Sequence, residues 1–283
     1  ATAFMDSIPL VAIPGQVGVS LLGRDSFQEA DISGITIPIT KHNYIVKNPA
    51  DLARTLCEAF HIASTGRKGP VLIDVPKDVQ QAETEFAWPE SLDLPGYRPR
   101  VEPDPAQVAA AAGALLSAKA PIVYAGGGVI ASGAAAELQA LVEYLQAPVT
   151  TTLMGLGAIS CDSPLFLGMP GMHGTVAANR AIQECDCLIA VGARFDDRVT
   201  GRVDRFAPNA RIVHVDIDRA EIGKNVRVDY PVLGDAKVCL RMLIEKMREM
   251  SMADGAPAGC DHADHPGRGE WCDRVASFKR NGN

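Results

Sequence analysis

The chain has 283 residues, 47% of them hydrophobic, and a net charge of −7. At about 100–200 residues per domain the length suits two globular domains, and no run approaches the roughly 18 apolar residues of a membrane span. The acidic balance, with no basic stripe interleaved with aromatics, argues against nucleic acid as a partner. The opening ATAFMDSIPLV lacks the basic-then-apolar layout of a secretory signal, which makes a cytoplasmic setting the default expectation. Seven scattered cysteines, an odd number, are not a disulfide framework.

Taken in chain order, the first block (residues 1–85) offers three apolar runs, PLVAIPG, ITIPIT and PVLIDVP, which read as buried strands. One long helix stands among them. It opens with Asn48 as N-cap and Pro49 at the first helical position, carries Leu52, Leu56, Ala59, Phe60 and Ala63, and stops at Gly66. Three strands and one helix are too few to cover both faces of a parallel sheet. The chain also opens without an initiator Met and almost inside an apolar run, so this block is expected to be the second half of a domain. Residues 86–104 hold Pro89, Pro95, Pro99 and Pro103 and read as a semi-rigid linker.

Residues 105–250 alternate regularly: a helix to Ala118, strand PIVYAG, a helix from Ala134 to Gln146, strand PVTTT, a helix from about Thr175 to Glu184, strands CLIAVGA, RIVHVDID and YPVLG, and a helix from Asp235 to Met250. Such alternation predicts an α/β fold with a doubly wound parallel sheet, here expected to have six strands. Residues 251–283 read as a linker. A zinc site drawn from Cys260, His262, His265 and Cys272 is disfavoured by their irregular spacing in a Gly/Pro-rich stretch, and no metal ligands are assigned.

In open parallel sheets ligands collect outside the carboxyl ends of the strands. The predicted strands lead, in turn, into Gly126, Gly127 and Gly128; Thr152 and Leu153; Gly171, Met172 and His173 before the third helix; Gly192, Ala193, Arg194, Asp196 and Arg198; Asp216 and Ile217; then Asp235. Glycines allow a pyrophosphate close to the backbone, acids suit ribose or ribityl hydroxyls, and arginines suit phosphate. Taken singly, GGGV reads more often as a tight turn than as a cofactor loop, Asp216 and Asp235 as helix caps, and Arg194 with Asp196 and Asp197 as a solvated charge cluster. Together they predict a dinucleotide-type ligand. Which dinucleotide stays open, because the Gly-x-Gly-x-x-Gly spacing is absent.

The stretches IPGQV, DSFQEADISG, ITKHNY, GRKGPVLIDVPKDVQ, VYAGGGV, TTLMGLGAI, GMHGT, VGARFDDRVTG and HVDIDRAEIGKN stand in an order and spacing that resembles the large, catalytic subunit of acetohydroxyacid synthase (acetolactate synthase), a thiamine-diphosphate enzyme family. The resemblance covers about residues 1–250. It implies the end of a pyrimidine-binding module and then a Rossmann-like central FAD-binding module. It further implies a part in decarboxylating pyruvate and condensing it with a second 2-oxo acid to 2-acetolactate or 2-aceto-2-hydroxybutyrate, the entry to branched-chain amino acids.

The family's roles carry over residue by residue. Gln16 resembles the active-site glutamine and Lys77 the lysine at the mouth of the substrate channel, the two residues expected to be catalytic. Phe27, Gln28 and Glu29 resemble the segment lining that channel, and Arg67 the arginine that reaches the FAD. The resemblance implicates the strand-end residues from Gly126 to Asp235, and with them Val199 and Ala236, in the flavin itself. Thiamine diphosphate and Mg²⁺ are expected only in a longer parent, because the Gly-Asp-Gly motif that holds them is not in this sequence, so the 283-residue chain is expected to be inactive alone. A homodimer or larger homo-oligomer of the parent is implied, with a separate regulatory subunit conceivable. Gly18 and Lys68 depart from the proline common at these positions. Glyoxylate carboligase and other thiamine-dependent carboligases share GGGV and TLMG but not KHNY or PKDVQ; a stand-alone nucleotide-binding module is the non-enzymatic alternative.

Overall fold

The computed structural model describes residues 1–99, 102–253 and 267–281. Two compact units result, Ala1–Pro99 and Arg100–Asn283.

In the first unit a short helix α1 (Thr2–Met5) precedes β1 (Leu10–Ala12) and β2 (Gly15–Gln16). Strand β4 (Pro70–Pro76) is buried along its whole length and pairs in parallel with β1, β2 and β3 (His42–Ile45). The run ITIPIT, expected as a strand, is instead helix α2 (Ile32–Thr36) and a 3-10 turn Ile37–Ile39. Asp31 caps it by accepting from Gly34 N at 2.8 Å, and Pro38 has no N–H to give a ladder but fits the first turn of a helix. Asn48 caps as expected, accepting from Ala50 N at 3.2 Å, and leads through a 3-10 turn into α3 (Leu52–Ser64). Helix α3 buries Ala59, Ile62 and Ala63 in one core with Val71, Ile73 and Val75 of β4. Helix α4 (Lys77–Gln81) comes directly after β4.

The second unit begins with α5 (Pro105–Leu116), capped by Asp104. Then come β5 (Pro121–Ala125), α6 (Gly127–Ser132), α7 (Ala135–Leu145), β6 (Val149–Thr151), α8 (Val176–Glu184), β7 (Cys187–Val191), α9 (Asp197–Thr200), β8 (Arg211–Asp216), β9 (Tyr230–Leu233) and α10 (Ala236–Ala253). The sheet is wholly parallel with order β6-β5-β7-β8-β9. It has five strands rather than six. The edge beside β6 holds a single bridge between Val149 and Phe166, with Leu165 O, Leu167 N and Gly168 O bonded to the backbone of Val149 and Thr151.

Alternate residues of each strand feed opposite faces, as the pleat requires. Val123, Ile189, Val191, Val213 and Val215 pack with α5, α7 and α10, while Ile122, Tyr124, Leu188, Ala190 and Ile212 pack with α8 and a final helix α11 (Arg268–Asn281). That last helix departs from the linker expected for residues 251–283. Its Trp271, Val275 and Phe278 are buried, Trp271 Nε1 donates to Pro121 O at 2.9 Å, and Arg268 donates to Leu115 O at 2.9 Å at the end of α5. Burying Phe278 alone is worth about 2 kcal/mol. Cys260, His262 and His265 lie outside the described residues.

Candidate functional site

From β5 the chain moves to β6 on one side and then crosses back to β7 on the other. The sheet's topological switch therefore lies between the carboxyl ends of β5 and β7, where ligands of such sheets bind. At that point the glycines have a reason that the sequence does not show. Gly126 N donates to Val191 O at 2.8 Å and Gly128 N to Gly192 O at 3.1 Å. A Cβ on Gly126 would stand 2.1 Å from Gly192 O, and one on Gly192 2.5 Å from Gly128 Cα. The two loops are packed backbone to backbone, with Gly192 at φ +56°. The amides of Gly126 and Gly128 are thus committed within the protein, while Gly127 N has no partner among the described residues.

Around this point the remaining strand ends converge on the same edge. Thr152 caps a 3-10 turn, accepting from Gly155 N at 3.0 Å, and presents Leu153 at 67% exposure. Gly171 takes φ +96°, and a Cβ there would meet Arg198 O at 2.4 Å; next to it Met172 N donates to that carbonyl and the Met172 side chain is 67% exposed, with His173 also exposed. Exposed apolar side chains beside open backbone suit a flat aromatic ring. Asp196 caps α9, accepting from Arg198 N at 2.9 Å, while the Arg198 side chain is exposed and Val199 is half-buried. Asp235 caps α10 through Lys237 N at 3.0 Å, and Ala236 is buried behind it. Asp216, 8% exposed, accepts from Asp218 N at 2.8 Å and precedes half-buried Ile217. Of the two acids expected as helix caps, Asp235 is one, whereas Asp216 closes a turn with no helix after it; Asp196, expected in a charge cluster, is instead the cap of α9. In each only Oδ1 accepts a hydrogen bond among the described residues. The other oxygen is available to a ligand hydroxyl. Beneath the loop after β7, the buried Tyr124 ring stands 5.8 Å from that of Phe195; burial, and then the Asp196 charge, push its phenol above the ordinary range.

Three residues at this edge receive no role from the sequence, although His214 and Asn225 bound the stretch HVDIDRAEIGKN. Asn179 of α8 holds Gly171 at both ends, accepting from its N at 2.7 Å and donating to its O at 3.0 Å. His214 of β8 and Asn225 of the next loop bond to the carbonyls of the loop after β7. Their partners are main-chain atoms distant in sequence, so no local pattern marks them.

In the first unit the Gln16 carboxamide is held on both sides: Nε2 donates to Ala30 O at 2.7 Å and Asp74 Oδ2 at 3.1 Å, and Oε1 accepts from Val17 N at 2.9 Å. Burial, opposed by this Gln16 hydrogen bond, raises the Asp74 carboxyl above its usual range. Glu29 closes its own turn, accepting from the amides of Gly23, Ser26 and Arg24, and those bonds, the one to Gly23 foremost, lower its pKa. Phe27 is 89% exposed and Gln28 takes φ +64°. Lys77 is exposed at the start of α4, and Arg67 donates from Nε to Ser7 Oγ at 3.0 Å. Gln16 and Lys77 both stand at the carboxyl-end side of the β2–β4 pair, where Gln16 registers with Pro76.

Residues 108–243 match the family model described as "Thiamine pyrophosphate enzyme, central domain". The chain is similar to an acetolactate synthase large subunit of Corynebacterium glutamicum, with 58% identity covering 87% of this chain and 39% of the relative. An acetolactate synthase of Mycobacterium leprae is 56% identical over 88% of this chain and 40% of its own length. A probable acetolactate synthase large subunit of Methanocaldococcus jannaschii is 52% identical over 99% of this chain and 46% of its own length. The chain spans less than half the length of these curated relatives.

Proposed function

This chain belongs to the acetolactate synthase large-subunit family, and from that premise we propose that it forms part of a thiamine-diphosphate-dependent enzyme that joins pyruvate to a second 2-oxo acid with loss of CO₂. The second unit holds FAD, and the first contributes Gln16, Lys77 and the Phe27–Glu29 segment to the wall of the substrate site. The observation that carries this reading is the strand-end edge of the five-stranded sheet. Unpartnered amides, unspent carboxylate oxygens of Asp196, Asp216 and Asp235, and exposed Leu153 and Met172 supply what a flavin dinucleotide needs: donors for its oxygens, acceptors for its ribityl and ribose hydroxyls, and an apolar rest for its ring.

The reaction has no net redox change, so a flavin there serves mainly to shape the site. Thiamine diphosphate and Mg²⁺ would supply the carbanion chemistry, but the Gly-Asp-Gly motif expected to hold them is not in this sequence. In this reading the residues of this chain bind the flavin and position the reactants, with Gln16 and Lys77 placed at the substrate. A homo-oligomeric parent with a regulatory partner completes the reading. Fluorescence titration of the purified chain with FAD tests it: saturable quenching with a single non-covalent site is expected, and a colourless chain that leaves flavin fluorescence untouched would refute it. A stand-alone module for another nucleotide would show itself by preferring ADP or NAD over FAD in competition.

A further inference from the structure

We propose that His214 and Asn225 are positioning residues for the cofactor: together they turn the carbonyls of the loop after β7 inward and so aim the loop's amides at the ligand. The proposal rests on the FAD reading and deepens it. Gly192 to Asp196 leave the sheet at the switch point. His214 Nε2 meets Ala193 O at 2.9 Å, and Asn225 Nδ2 donates to Arg194 O at 3.0 Å and Phe195 O at 3.1 Å. Three consecutive carbonyls are therefore held by two side chains from outside the loop.

A peptide group is planar and trans, so each N–H points opposite to the carbonyl of the same group. Fixing the carbonyls of Ala193, Arg194 and Phe195 on the His214 and Asn225 side sends the amides of Arg194, Phe195 and Asp196 the other way. None of those three amides has a hydrogen-bond partner among the described residues, and buried or half-buried backbone donors are seldom left so in a folded protein. A ligand rich in acceptor oxygens or ring nitrogens would satisfy them.

The arrangement does not form by local preference. Phe195 takes φ +51°, a conformation that costs a non-glycine residue about 1 kcal/mol or more. Its ring is kept in place by Tyr124, Phe206 and His214, the last at 5.0 Å edge to face. The hydrogen bond to a carbonyl requires the His214 proton on Nε2, and the Asp216 carboxylate, 3.7 Å from that nitrogen, favours the same tautomer. His214 Nδ1 is buried without a partner, so the ring makes its one hydrogen bond through Nε2 to this loop. One histidine thus sits between two of the strand ends assigned to the cofactor.

The test compares Asn225→Asp, His214→Leu and His214→Gln in the 283-residue chain, reading the FAD dissociation constant, the visible circular dichroism of bound flavin and the melting temperature of the cofactor-free protein. Asn225 is exposed, so Asn225→Asp leaves the fold intact while setting a carboxylate against two carbonyl oxygens. Asn225→Asp and His214→Leu are expected to weaken FAD about ten- to a hundredfold, as the loss of one or two such bonds implies, and to alter the flavin dichroism. His214→Gln, whose amide nitrogen can replace Nε2, should restore binding close to wild type. Equal affinity of Asn225→Asp and wild type would overturn the proposal, as would a loss confined to the melting temperature of the cofactor-free protein. Failure of the wild-type chain itself to bind FAD would instead bring down the functional reading on which the proposal stands.

Discussion

The two units are written in the same idiom of parallel strands and covering helices, yet they close their cores differently. In the second, β5 and β7 are buried along their whole length, and helices lie on both faces, with α5, α7 and α10 on one and α8 and α11 on the other. In the first, only β4 is buried throughout, one helix, α3, forms most of the cover, and Phe27, Ile35, Ile37 and Phe60 stand more than 60% exposed. A parallel sheet is stable when both faces are covered. The second unit is therefore the firmer scaffold, and its candidate site is built from loops locked to one another, whereas the first unit's candidates Phe27, Gln28 and Lys77 sit on exposed segments.

That contrast predicts two thermal transitions in calorimetry, the lower one belonging to the first unit. The largest effect is expected from Gly126→Val, because a side chain 2.1 Å from Gly192 O must force the loops after β5 and β7 apart. A cost of about 4 kcal/mol or more is expected, lowering the upper transition by roughly 8–16 °C and abolishing FAD binding. An upper transition unmoved by this change would show that the glycine contact does not hold the switch point. Next come the core truncations Leu188→Ala and Ile73→Ala, each costing about 2–5 kcal/mol. Leu188→Ala should move only the upper transition and Ile73→Ala only the lower, since each side chain belongs to its own core. If either moved both equally, the units would not be thermally independent. Smaller again is Thr175→Ala, which removes the cap of α8, an acceptor for Ala178 N at 3.1 Å; about 1 kcal/mol off the upper transition is expected.

The same contrast explains what is legible in the sequence. The strands of the second unit are short, mostly buried, β-branched runs bounded by turn residues, so their places along the chain can be read almost directly. The exception is the expected sixth strand, for which the sequence offers no further β-branched run; the edge beside β6 carries only one bridge, at Phe166. ITIPIT misleads because its β-branched content resembles a strand while Asp31 and Pro38 favour a helical start. Helix α11 does carry an apolar stripe, Trp271, Val275 and Phe278, but it is short and set among charged residues, and its partners, Pro121 and Leu115, stand about 150 positions away. At the site, the glycines are visible but their cause is not. Gly126 needs its hydrogen because of Gly192, a contact that exists only once β5 and β7 are neighbours. The roles of Asn179, His214 and Asn225 are hidden for a related reason: they act on main-chain groups, which every residue has.

The smallest effect expected concerns pH and the lower transition. Asp74, 1% exposed, has one carboxyl oxygen on Gln16 Nε2 and the other without a hydrogen-bond partner among the described residues. Burial raises its pKa, the Gln16 bond offsets this in part, and the charge of Asp31 adds to the rise. A carboxyl whose pKa is higher folded than unfolded binds more protons in the folded state, so stability is greatest below the unfolded value, about pH 4, and falls as pH rises through the folded value. Asp74→Asn removes this titration while keeping an acceptor for Gln16. Relative to wild type, the variant's lower transition should therefore gain between pH 4 and pH 7, and its pH profile should be flatter. A difference between the two proteins that is the same at both pH values would show that the Asp74 carboxyl titrates alike in the folded and unfolded chain.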